Sequence, residues 1–233
     1  MNVAAPAVPA AVRFRATPRS GEVSALLLRP RDARCLFVMA HGAGAGMRHA
    51  FMDAAAARLA EHGVATFRYQ FPYSERGGGN LDPQPILLET VRSAVATARE
   101  QVADLPLLAG GKSMGGRMTS LAAAEAPLPG AQGLVFVGFP LHPAGRPGIE
   151  RARHLIRVTV PMLFLQGTRD ALADLALLRP VCECLGARTT LHVVEGADHS
   201  FHVLKRTGRT NEAVLLELAR TTASWASELP AGG

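Results

Sequence analysis

The sequence predicts one α/β domain, a mostly parallel central sheet with helices on both faces. Three observations carry this. From Cys35 onward, apolar runs of strand length alternate with periodic segments of helix length, the pattern of strands joined by crossover helices. Several of those runs are unbroken rather than alternating, as expected of strands buried on both faces. Finally, 233 residues with 48% hydrophobic and 19% charged side chains suit a single ordered core and exclude a disordered chain. Aromatic residues make up only 5%, so that core must rest on Ala, Val and Leu.

The elements follow in order. Residues 12–17 and 23–28 read as two short strands joined by Pro18-Arg19-Ser20-Gly21, an antiparallel hairpin. Residues 1–11 precede it as a flexible tail. Cys35–Ala40 is an apolar strand that stops at His41-Gly42, and residues 50–62 form a helix ended by Gly63. Val64–Tyr69 is the next strand, residues 70–85 a Gly- and Pro-rich loop, and 86–102 a helix. Strand 107–110, helix 114–126 and strand 134–138 continue the alternation, and residues 141–160 are irregular or partly helical. Strand 162–166, helix 172–185, strand Thr189–Val194 and helix 211–229 complete it. No repeat or linker divides the chain, so residues 1–233 read as one domain.

Charge and cysteine content narrow the function. A net charge of +6 invites a nucleic-acid reading, but the charge is scattered arginine, with Lys112 and Lys205 the only lysines. The densest stretch, with Arg146, Arg151, Arg153 and Arg157, fits a solvated loop and helix face better than an anion-attracting rim. Cys35 reads as a small buried hydrophobe. Cys182 and Cys184 lack companions at metal spacing, and an odd cysteine count fits a reducing compartment. The first residues make a poor signal peptide, since Pro6 and Pro9 interrupt them, and no apolar run approaches the ~20 residues of a membrane span. We therefore expect a cytoplasmic protein with no membrane or nucleic-acid partner, no cofactor and no metal. A homodimer is compatible with the sequence.

Sites in open α/β sheets form at the carboxyl ends of the strands. After strand 107–110 comes Gly111-Lys112-Ser113-Met114-Gly115, a G-x-S-x-G turn leading straight into a helix. A strand that turns this sharply exposes Ser113 at its apex, and glycines are needed on either side because a Cβ would collide across the turn. The same residues resemble the end of a phosphate-binding loop, but that motif needs glycine where this chain has Pro106.

Two further loops complete a constellation. Gly167-Thr168-Arg169-Asp170 follows one strand and Gly196-Ala197-Asp198-His199 follows the next. The order Ser, acid, His matches a nucleophile, its orienting carboxylate and its base. Ser113, Asp170 and His199 are accordingly the expected catalytic residues. Asp198 is better suited to capping its own turn, and Asp174 falls inside a predicted helix. His41-Gly42-Ala43-Gly44-Ala45-Gly46 suits the second half of an oxyanion hole, with the N–H of Met114 as one donor and that of Ala43 as the other. This loop is not a dinucleotide fingerprint, because Met47 stands where the third glycine belongs. Gly44, His142 and Lys112 are candidate pocket-lining residues. His41 reads as a shaper of the oxyanion loop, His202 as either a loop neighbour or solvent-facing, and His49, His62, His154 and His192 as surface or helix-end residues.

With these residues placed, the sequence resembles the α/β-hydrolase superfamily near its dienelactone-hydrolase-like branch. It is most similar there to the small group related to testis-expressed protein 30 and the hydrolase-like region of the NSL chromatin-complex subunit 3. The matching segments are HGAGAG from His41, GGKSMGGRM from Gly110, GFPLHP from Gly138, LQGTRD from Leu165 and GADHSF from Gly196. The resemblance implies the α/β-hydrolase fold and assigns the triad to Ser113, Asp170 and His199. The short interval between strands 134–138 and 162–166 leaves no room for a large cap domain, which implies an open site. The expected activity is hydrolysis of small-molecule esters or thioesters through an acyl-enzyme. The alternative is a catalytically silent interaction module on the same scaffold, against which the intact triad argues.

Overall fold

A computed structural model describes residues 8–230. The chain begins with the expected hairpin: β1 (Ala10–Thr17) and β2 (Gly21–Leu28) pair antiparallel. Residues 1–7 of the anticipated tail lie outside the described residues. Its last two residues are not tail at all, because Ala10 and Ala11 pair with Leu27 and Leu26 and extend β1.

Eight strands form one sheet in the order β1-β2-β4-β3-β5-β6-β7-β8. After the hairpin come β3 (Cys35–Ala40), α1 (Ala50–Glu61) and β4 (Val64–Tyr69). A short α2 (Pro72–Glu75) and the long α3 (Gln84–Gln101) lead to β5 (Leu107–Lys112) and α4 (Met114–Glu125). The chain closes with β6 (Ala131–Val137), β7 (Met162–Gly167), α5 (Leu175–Leu185), β8 (Thr189–Val194) and α6 (Asn211–Glu228). From β4 across to β8 every pairing is parallel, and only β2, antiparallel to both β1 and β4, runs against the rest.

The unbroken apolar runs are explained by two-sided burial. In β3, Leu36, Val38 and Ala40 join a core built with α3, α4 and α5, while Cys35, Phe37 and Met39 face the opposite way into a core built with α1 and α6. This is the two-residue period of a strand applied to a sheet covered on both sides. Cys35 and Cys182 are buried and Cys184 is exposed. Burial pushes the Cys35 and Cys182 thiols up to about 11, which keeps them protonated and unreactive at neutral pH.

Several boundaries differ from expectation for local reasons. The 70–85 loop contains α2, which starts with Pro72 in its first turn, and the Tyr73 N–H there donates to the Asp82 carboxylate at 2.6 Å. Helix α5 begins three residues later than predicted because Asp174 caps it, accepting the Ala176 N–H at 2.9 Å. Between β6 and β7 the chain makes only one 3-10 segment, Glu150–Arg157, so no cap covers the sheet edge. Among the described residues, no helix is long and apolar enough to cross a membrane.

Candidate active site

The turn after β5 carries the strain its sequence foretold. Ser113 has φ 51° and ψ −117°, a conformation that L-residues rarely adopt. It is held there because β5 and α4 pack against the end of β3 with no space to spare. A Cβ on Gly111, whose φ is 150°, would lie 2.2 Å from the Ala40 carbonyl oxygen, and one on Gly115 would lie 2.5 Å from it. Glycine at both places lets the two backbones touch, and Ser113 is left pointing off the sheet edge.

Three loops then converge. The Ser113 hydroxyl lies 2.8 Å from His199 Nε2, and His199 Nδ1 lies 2.7 Å from Asp170 Oδ2. With Nδ1–H donating to the carboxylate, Nε2 is the acceptor for the serine O–H, which is the tautomer a general base requires. Asp170 is buried and held by two further donors. Gln166 Nε2 donates to Oδ2 at 2.5 Å and the Leu172 N–H to Oδ1 at 2.8 Å. The competing carboxylates are occupied elsewhere. Asp198 Oδ1 accepts the N–H groups of Ser200 and His202, both at 2.9 Å, closing its own turn as anticipated. Asp174 is the cap of α5 and lies at its boundary, not inside it.

The two expected oxyanion donors are free. Met114 is the first residue of α4, so its N–H has no intrahelical partner, and among the described residues neither it nor the Ala43 N–H meets an acceptor. The loop that carries Ala43 is pinned from below. The Met47 N–H donates to Gln70 Oε1 at 3.0 Å, Ser74 Oγ donates to the Ala45 carbonyl at 3.0 Å, and the buried Arg68 guanidinium donates to the Met47 carbonyl at 3.0 Å and pairs with Asp53. His41 behaves as expected of a shaper. Its ring donates to the Gly42 carbonyl and accepts the Phe71 N–H, and burial pulls its pKa down to about 4.

Ser113 and His199 open onto a cavity of about 660 Å³ whose wall includes Ala43, Lys112, Phe51, Phe201 and Leu215. Of the candidate lining residues, Lys112 is in that wall, while Gly44 and His142 are not. His142 is buried, and both its ring nitrogens are engaged: Nδ1 donates to the Pro143 carbonyl at 2.9 Å and Nε2 accepts the Asp174 N–H at 3.0 Å. It therefore ties the loop after β6 to the start of α5. His154 is a second correction. It does lie in the last turn of the 3-10 segment, at a helix end, but it is buried and not at the surface, with Nε2 2.7 Å from Ser120 Oγ. His49 does sit at a helix end, capping α1 through the Phe51 N–H, and also reaches the cavity, as does His202.

Sequence reasoning missed Gln166, Arg68 and the stacked pair Phe51–Phe201. Gln166 carried one signal, a lone polar side chain in the apolar run of β7. Phe51 and Phe201 are 150 residues apart in sequence, so no local pattern could join them.

A family model described as an alpha/beta hydrolase domain matches residues 33–227. Solved structures agree on the architecture. A dienelactone hydrolase from Anabaena variabilis is 20% identical, with a TM-score of 0.76 over 97% of this chain and 100% of its own. A serine hydrolase without a lid from Xanthomonas campestris is 23% identical, with a TM-score of 0.71 over the whole of both chains. The esterase domain of a Rhodothermus marinus protein is 17% identical, with a TM-score of 0.72 over 95% of this chain and 99% of its own. At these identities the likeness is one of fold.

Proposed function

The chain belongs to the α/β-hydrolase superfamily and has the fold of its lidless, dienelactone-hydrolase-like branch, and we propose that it hydrolyses small acyl esters or thioesters through a covalent acyl-enzyme. The observation that carries this reading is the continuous hydrogen-bond chain Ser113–His199–Asp170 opening onto the cavity.

In the proposed reaction, His199 Nε2 takes the Ser113 proton as Oγ attacks the substrate carbonyl. The developing oxyanion accepts hydrogen bonds from the N–H groups of Met114 and Ala43, and the amino end of α4 favours the same charge. Asp170 holds the ring tautomer and offsets the imidazolium charge. The imidazolium then gives its proton to the departing alcohol or thiol, leaving the acyl group on Ser113. Water, deprotonated by His199, releases the acid and restores the serine. The absence of a cap between β6 and β7 favours short acyl groups, because nothing encloses a long chain.

A series of 4-nitrophenyl esters of increasing chain length, run on the wild type and on Ser113→Ala, tests this. Turnover confined to short chains and lost in the variant is the expected result. Fluorophosphonate labelling that persists unchanged in Ser113→Ala would overturn it.

A further inference from the structure

One charged side chain in the cavity has no part in the reaction above. Lys112 immediately precedes Ser113, and its side chain enters the same cavity wall. Its ammonium nitrogen lies 5.9 Å from the Phe51 ring centroid and 5.7 Å from that of Phe201, so it borders both rings of the stacked pair from one side. On another side is Gly138, where a Cβ would sit 3.2 Å from the Lys112 nitrogen and 3.5 Å from His199 Nδ1. The ammonium and the catalytic imidazole thus border one glycine. Among the described residues, no carboxylate comes within salt-bridge distance of Lys112.

A half-buried cation without an ion-pair partner is costly unless something compensates it, and aromatic faces compensate only in part. We propose that Lys112 is the specificity determinant of this site and binds an anionic group, a carboxylate, on the acyl portion of the substrate. The inference rests on the hydrolase reading and names its substrate class: esters of short dicarboxylic acids. Because the Lys112 nitrogen and His199 Nδ1 border the same point at Gly138, the charge lies close to the catalytic imidazole, which suits an acyl chain of a few carbons. The groups around Lys112 are consistent with an incomplete site. Asp170 and Asp198 favour its charged form from a distance, His199, His49 and His202 share the cavity, and burial outweighs the carboxylates, drawing its pKa down to about 8. A bound carboxylate would supply the missing counter-charge.

The test compares mono-4-nitrophenyl esters of succinic, glutaric and adipic acid with 4-nitrophenyl butyrate and pentanoate. Expected is a preference of about tenfold or more in kcat/KM for one of the anionic esters, carried mainly by KM and shrinking with added salt. In Lys112→Met the anionic esters should fall about tenfold further than the neutral ones, and Lys112→Arg should keep most of the preference. No preference in the wild type, or an equal fall for both ester classes in Lys112→Met, would overturn the proposal. Calorimetric binding of the same esters to Ser113→Ala separates the two readings. Tighter binding of the anionic ester there, lost in the Ser113→Ala/Lys112→Met variant, supports the anion site even if the wild type proves unable to hydrolyse any ester. Equal binding of anionic and neutral esters would sink it.

Discussion

Helix α4 and the residue that opens it supply two serines that hydrogen-bond to histidines, and the contrast between them is instructive. Ser113 lies 2.8 Å from His199 at the helix start, and Ser120, two turns on, lies 2.7 Å from His154. By the serine–histidine distance alone the two are indistinguishable. Only His199 has a carboxylate on its other ring nitrogen, and only Ser113 faces a cavity. His154 instead sits near Arg117 and Arg157, and with burial as the larger cause these draw its pKa down to about 4. A base that weak, next to a buried hydroxyl that already donates to the Arg117 carbonyl, is packing. A serine–histidine contact becomes chemistry when strain exposes the hydroxyl, an anion orients the ring and space admits a substrate.

The largest expected effect breaks this contrast directly. Ser113→Ala should cost on the order of 10⁶-fold in kcat, while Ser120→Ala should leave ester turnover within about twofold. A comparable loss in both variants would mean that the buried pair supports the site. Next, Asp170→Asn should lower kcat by about 10⁴-fold by removing the carboxylate that selects the tautomer. Stopped-flow acylation would show the loss in the first step, and near-normal acylation would contradict the orienting role.

The acid side of the stability curve sharpens the contrast from the other end. His154 is neutral when folded, with a pKa of about 4, and ordinary when unfolded, near 6.5. The unfolded chain therefore binds the extra proton between those values, and stability falls as pH drops from about 6.5 to 4. The slope should be about 1.4 kcal/mol per pH unit for each such histidine, and His41 contributes in the same window. Urea unfolding of His154→Asn should show a slope shallower by that amount, with turnover at neutral pH retained. An unchanged slope would mean that the ring is charged in the folded state. The smallest effect expected is in Ser120→Ala, which leaves His154 Nε2 unpaired and should cost about 1–2 kcal/mol of stability.

Much of the molecule was legible from sequence because its signals are local. Cys35–Ala40 and Val64–Tyr69 were bounded to the residue, since a strand buried on both faces is written as an apolar run and ended by its turn. The Ser113 turn was legible for a similar reason: at 111 and 115 a Cβ would fall 2.2 and 2.5 Å from the Ala40 carbonyl oxygen, so glycine is required at both and leaves a readable spacing. Asp170 and His199 could be named because a parallel sheet delivers the loops after its strands to one edge. His142 and His154 could not be placed. A histidine that lines a pocket and one that ties two loops together look alike in sequence, and what separates them is which nitrogens are already engaged.

The sequence by itself determined the alternation of strands and helices, the strained serine turn and the order of the three groups. These are consequences of side-chain periodicity, glycine's freedom and chain direction, which act over a few residues. Only the tertiary structure decided that Gln166 clamps Asp170, that Arg68 and Gln70 hold the Ala43 loop, and that Phe51 and Phe201 stack beside Lys112. Apart from the Gln166–Asp170 contact, whose members are four residues apart, these contacts join residues from different elements of the fold. Their partners are chosen by how elements pack, which no local pattern encodes.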